Sequence, residues 1–210
     1  MKNKLFTPAI LLLPLWFGLN SEPVENKKTD NATSALSIFL YSVSDGQDAD
    51  KFNGETLIVP FAVKKALEIY DFSLSNVQNL YLNQGVGLGS NQKAEGNKIV
   101  FRTRASKAIP YLYRILTIGN HFDDMVFEVV TLPNGGDPIK IHDKIELKFV
   151  MVSSVQVESV DKTTGQAIFS VTIEYGAIKR TMTDYDQFGV ALPPNVVNWS
   201  YVKNNNTFDI

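Results

Sequence analysis

Cysteine is absent from the 210-residue sequence. That removes disulfides, thiolate nucleophiles, zinc–thiolate and iron–sulfur sites, and the lipid-bearing cysteine of a bacterial lipoprotein. Histidine is scarce, with two residues, so a histidine-based metal site would need carboxylates to complete it. Charge of one sign is concentrated nowhere. The 20 Lys and Arg stand against 22 Asp and Glu without a long run of either, so nothing is shaped to grip a phosphate backbone and nucleic acid is not expected as a partner. The main uncharged apolar stretch, residues 5–19, falls short of the roughly 20 residues that span a bilayer, and Pro8 and Pro14 interrupt it.

What that stretch does resemble is an export signal. Lys2 and Lys4 make a short basic leader ahead of it, and a cleavage after Ser21 is the reading adopted for residues 1–21. Export to the periplasm or the exterior follows, with no stable membrane span after signal removal. Residues 22–33 are polar and without periodicity, as a flexible leader would be. At this length, with 44% hydrophobic residues, the chain supports one core, placed at 34–182, with 183–210 read as an irregular C-terminal extension.

Within 34–182 the period is mostly two. Residues 36–43 favour a strand and are followed by a long polar loop; 58–74 read as a strand; 85–97 are glycine-rich and loop-like. Residues 98–104 alternate, with Ile99, Phe101 and Thr103 on one side. Over 106–119 the period becomes 3.6, because Ile109, Leu112, Tyr113 and Leu116 share a face. Ser106 is placed to cap this helix and Gly119 to end it. Strands follow at 125–132, 145–159 and 166–175, with a bend expected at Ser153–Ser154. Phe101, Phe127, Phe149 and Phe169 are expected to fill the interior. The fold class is therefore mainly β: an antiparallel barrel or sandwich with one amphipathic helix inserted between strands.

Catalytic and ligand-binding patterns are incomplete throughout. His121 with Asp123 and Asp124, and His142 beside Asp143, read as solvated turns rather than ligand sets, and Ser153–Ser154 lacks the flanking glycines of a nucleophile elbow. Gly85, Gly87 and Gly89 lack the third glycine spacing and the helix of a dinucleotide loop. Asp45, Asp48 and Asp50 miss the calcium-loop spacing. No catalytic residue, metal or cofactor is expected. An alternative function, an exported β-domain binding a small molecule or glycan, would use Tyr41, Tyr70, Tyr81, Trp199 and Tyr201 as a platform.

Three stretches carry a family resemblance. IVFRTRASKAIPYLYRILTIGNHF (99–122) resembles the strand and K-A-x-P-x-L helix of the haemolysin-coregulated (Hcp) proteins of type VI secretion. IKIHDKIELKFVMVSSVQVES (139–159) and VTIEYGAIKRTMTDYD (171–186) are similar to its later strands. The resemblance implies a non-enzymatic, ring-forming component, carrier or exported effector. Its partners would be copies of itself, in a hexamer, and other secretion-apparatus proteins or effectors. Val150 and Val152, on the face opposite the apolar odd row of their strand, are the expected subunit contact. The loop at 44–55 and the hydrophobic leader depart from the family pattern.

Overall fold

The computed structural model describes residues 36–43, 52–77, 95–133 and 138–210. The export signal, the leader, Tyr81, the Asp45–Asp48–Asp50 group and the glycines at 85, 87 and 89 lie outside the described residues. Among the described residues eight strands and one helix run in the order β1 (Leu36–Ser42), β2 (Leu67–Ile69), β3 (Asp71–Val77), β4 (Glu95–Arg104), α1 (Ala108–Ile118), β5 (His121–Thr131), β6 (Lys140–Val160), β7 (Ala167–Met182) and β8 (Asn195–Ser200). All described pairings are antiparallel, in the order β2-β1-β5-β6-β7-β4-β3, and β8 adds to the second half of β7. The two ends of this order, β2 and β3, are successive pieces of one run separated by Tyr70, so the sheet curls back on itself. At that seam the Tyr70 N–H donates to Arg102 O at 2.9 Å and the Thr103 hydroxyl to Glu68 O at 2.8 Å. The expected mainly-β, barrel-like architecture with a helix between strands is the one observed.

The inner face holds the larger core. Leu40, Ile99, Phe101, Met125, Phe127, Ile145, Leu147, Val171 and Ile173 are buried there together with one side of α1. Each fully buried side chain of this size contributes about 1.5–3 kcal/mol. Phe101 and Phe127 meet edge to face at 5.7 Å, as the aromatic filling predicted, and Phe169 packs half-buried against them. Phe149 does not join them, for a reason given below.

The helix is rotated from its expected face. Ala108, Ile109, Tyr111, Leu112 and Ile115 are buried, whereas Tyr113 is exposed. Phe122, at the start of β5, decides this: Tyr111 meets it edge to face at 5.9 Å and Phe52 packs on it at 5.7 Å. Lys107 occupies the N-cap, with Ser106 Oγ accepting from the Ala108 N–H at 3.3 Å. Gly119 ends the helix at φ 67°.

Residues 58–65, expected as strand, form turns instead. Their backbone bonds are local, with Ala62 N–H to Ile58 O and Ala66 N–H to Phe61 O, and Phe61 stacks on Phe39 at 3.8 Å on the outer face of β1. Phe39, Tyr41, Phe61, Ala66, Val126 and Val130 form a second, smaller core under this strap. The extension 183–210 is not irregular throughout, because β8 pairs along β7 from Met182↔Asn195 to Ala177↔Ser200 and Tyr201 is buried.

Candidate assembly surface

Inward-facing positions along a strand should step by two. Across three neighbouring strands they step by three at the same level: Phe122 to Met125 on β5, Leu147 to Val150 on β6, and Tyr175 to Ile178 on β7; β6 makes a second such step from Val152 to Val155. Phe122↔Val150↔Tyr175 and Met125↔Leu147↔Ile178 are paired neighbours, so the sheet is creased along one line. On β6 the change of phase falls at Phe149, whose φ of 52° is in the left-handed region that bulky residues rarely enter. Val150 and Val152 therefore turn inward and are buried in the main core, while Phe149 and Met151 turn out. This corrects the expectation that Val150 and Val152 are a subunit contact: they are core residues. The bend expected at Ser153 is a separate feature and is present, since Val152↔Ile173 is followed by Ser154↔Thr172.

Two segments cover the outer face. The first is the strap at 54–66. Gly54 closes its base, where a β-carbon would run into the Ala66 carbonyl. Lys64 pins the strap to the sheet: its ammonium donates to Tyr41 Oη at 2.9 Å and to Glu128 at 3.3 Å, while Tyr41 Oη donates to Glu128 Oε1 at 2.6 Å. Burial and then the hydrogen bond to Glu128 hold the Tyr41 phenol above the ordinary tyrosine range. Beside this group, burial pushes the Glu146 carboxyl up, but hydrogen bonds from Lys144 and Lys179 outweigh it and leave Glu146 below the usual carboxylate range.

The second cover is the C-terminal segment. Tyr201 N–H and Val202 N–H both donate to Gly176 O, at 2.8 and 3.3 Å, and Phe208 lies 5.0 Å from Lys148 Nζ. Both covers present apolar side chains outward: Leu57, Val59 and Val63 on the strap, and Phe188, Val190, Leu192, Val196 and Val197 on the C-terminal segment. Leu57 is 91% and Phe188 82% exposed, far beyond a core residue at its margin. Where such side chains adjoin, they mark a surface that another molecule covers.

The other residues singled out in the sequence do not converge on a reactive centre. His121 Nε2 is 3.4 Å from Asp123 and its ring lies against Phe149 at 4.3 Å; burial raises the Asp124 carboxyl above its usual range. His142 Nε2 is 2.7 Å from Thr131 Oγ1, and Asp143 accepts from both Nε and Nη2 of Arg180. Ser153 Oγ donates to the Thr172 carbonyl at 3.3 Å. Among the described residues no group of three potential metal ligands is gathered, and no helix is long and apolar enough to cross a membrane. The proposed aromatic platform is dispersed: Tyr41 is in the strap core, Tyr201 packs on Tyr175 at 5.5 Å, and Tyr70 lines a separate cleft of about 450 Å³ with Glu68 and Arg104. Sequence reasoning missed the crease and the C-terminal cover. Their one mark in the sequence is Gly176, isolated inside an alternating strand and informative only once that strand is paired with β6.

The family model described as "Type VI secretion system effector, Hcp" matches residues 45–182. Among solved structures, one titled "Structure of a type six secretion system protein" aligns with a TM-score of 0.68 at 18% identity, over 81% of this chain and 99% of that one. Hcp1 from Salmonella typhimurium aligns at 0.60 and 17%, over 82% and 99%. A type VI secretion system effector from Yersinia pestis aligns at 0.53 and 15%, over 78% and 98%. A comparison with curated proteins found no match.

Proposed function

This chain belongs to the Hcp family of type VI secretion, and from that premise we propose that it is an exported, non-enzymatic component or carrier whose barrel associates with copies of itself into a closed ring. In this reading residues 1–21 are the export signal, 22–33 a flexible leader and 34–182 the ring-forming domain. The ring is a hexamer, the state that the family resemblance implies. The observation that carries the reading is the match over 45–182 on a fold whose outer covers leave Leu57, Val59, Val63, Val196 and Val197 exposed. A head-to-tail contact repeated round a ring closes without leaving one such patch uncovered at an end.

Light scattering on the purified protein across a concentration series tests the ring. A mass near six subunits is expected, and a single-subunit mass at every concentration overturns it. Export is tested by fusing residues 1–30 to a reporter active only outside the cytoplasm, where activity is expected.

A further inference from the structure

The family match ends at residue 182, yet the chain continues for a further segment that folds back onto the sheet. After β8 the backbone reverses in a tight turn, with Asn204 at φ 52° and a bridge in which Ser200 N–H donates to Asn205 O at 2.9 Å. The last residues then reach the crease. Tyr175 points into the core, so Gly176 presents its bare Cα to the outside, and the space left there is used: a β-carbon on Gly176 would stand 3.0 Å from Ile210 Cγ2, 3.2 Å from Val202 Cγ2 and 3.3 Å from Phe149 Cβ. Around this recess Asp123, Asp124 and Lys148 of the sheet and Lys203 and Asp209 of the tail line a cleft of about 430 Å³. The fit is specific but shallow. Ile210 remains 47% exposed, and 202–206 are exposed along their length.

From this arrangement we propose that the outer crease at Phe149 and Gly176 is a self-association surface that the chain's own residues 203–210 mask. The inference rests on the reading that copies of the chain associate, and it adds how that association is restrained. With the tail lifted, Gly176 is uncovered beside Phe149, which with Met151, two residues further along β6, already faces outward. Asp123, Asp124 and Lys148 at its margin carry both signs, which suits a second copy of the same near-neutral chain better than a strongly charged partner. A shallow latch of few contacts is released more easily than any element of the core.

The test compares the full chain with Ile210→Asp, which removes the apolar contact over Gly176, and with a chain ending at Val202, which has no latch. Hydrogen exchange reads the tail directly: the 203–210 amides are expected to exchange at least tenfold faster in Ile210→Asp than in the full chain. Light scattering reads assembly: both altered chains are expected to associate at a concentration at least tenfold lower than the full chain. The inference is overturned if the full chain assembles and both altered chains assemble at the same or higher concentration; the ring then stands without the mask. If the full chain is a monomer and the altered chains assemble, the mask is supported and the unassisted ring is not. If none assembles, both readings fall. Circular dichroism identifies an unfolded altered chain, in which case the other alone decides.

Discussion

Phe149 Cβ lies 3.3 Å from the point where a β-carbon on Gly176 would stand, so a side chain on β7 here would press on β6 more closely than side chains ordinarily meet. Gly176 is not held at a positive φ, and its role is therefore steric rather than conformational. Gly176→Ala is expected to cost about 1–3 kcal/mol, the usual range for overpacking, since Phe149 Cβ is fixed by its strand even where Ile210 and Val202 can give way. Chemical denaturation checks this, and an unchanged midpoint would show that the strands have slack.

The helix offers a sharper contrast. Leu112 is fully buried and Tyr113, its neighbour, exposed. Leu112→Ala should cost about 2–5 kcal/mol, whereas Tyr113→Ala should stay within about 0.5 kcal/mol, as surface changes do. Equal losses in melting experiments would place the helix face where the 3.6 period alone had put it.

That difference shows what was legible in the residues and what was not. Apolar spacing identified the helix and its Gly119 end, but Tyr111 and Tyr113 are equally apolar and only the position of Phe122 chooses between them. Alternation put Ile99, Phe101 and Thr103 on one side, and all three are buried. It failed at Val150 and Val152 because the phase changes at Phe149, a residue type that carries no signal for a left-handed backbone. The compensating glycine sits on another strand, at 176, and becomes informative only once the pairing of β6 with β7 is known. β8 was hidden by its short length and by the polar residues around it.

The strap depends on Lys64. Glu128 is 3% exposed and its partners are Lys64 and Tyr41. Lys64→Met removes the cation and leaves a buried carboxylate, for which a loss of about 3 kcal/mol is expected, at the low end for a buried pair because Lys64 itself keeps partial solvent contact. Adding Glu128→Gln to that variant should recover part of the loss in denaturant titrations; a further loss would mean that the pair does not act as a unit.

Burial holds the phenols of Tyr41 and Tyr175 above the ordinary range, assisted by the hydrogen bond to Glu128 in the first and by Tyr201 in the second. Both groups keep their proton in the folded state after the unfolded chain would have lost it, at about pH 10. Their contribution to stability is therefore complete below about pH 10 and is lost as pH rises beyond it, because the unfolded state then binds fewer protons. Absorbance at 295 nm should show some of the eight tyrosines ionising only together with the loss of circular dichroism. Tyr41→Phe should flatten the fall of stability above that pH. Ionisation of every tyrosine in one reversible step with the fold intact would contradict the burial of both.

The crease makes its own prediction on β6. Val150 is fully buried with Phe122 and Tyr175 as its paired neighbours, whereas Val157, seven residues further along the same strand, is 60% exposed. A lysine at either site has the same β-propensity and the same charge, so the difference between the two reports burial alone. Val150→Lys puts an ammonium into the core without a partner. Such a group either shifts its ionisation or breaks the packing, at a cost of several kcal/mol, so the variant should be largely unfolded or soluble only in small yield. Val157→Lys should melt within a few degrees of the parent. If Val150→Lys folds normally, β6 does not change phase at Phe149 and the valine faces solvent, as simple alternation along the strand would have it.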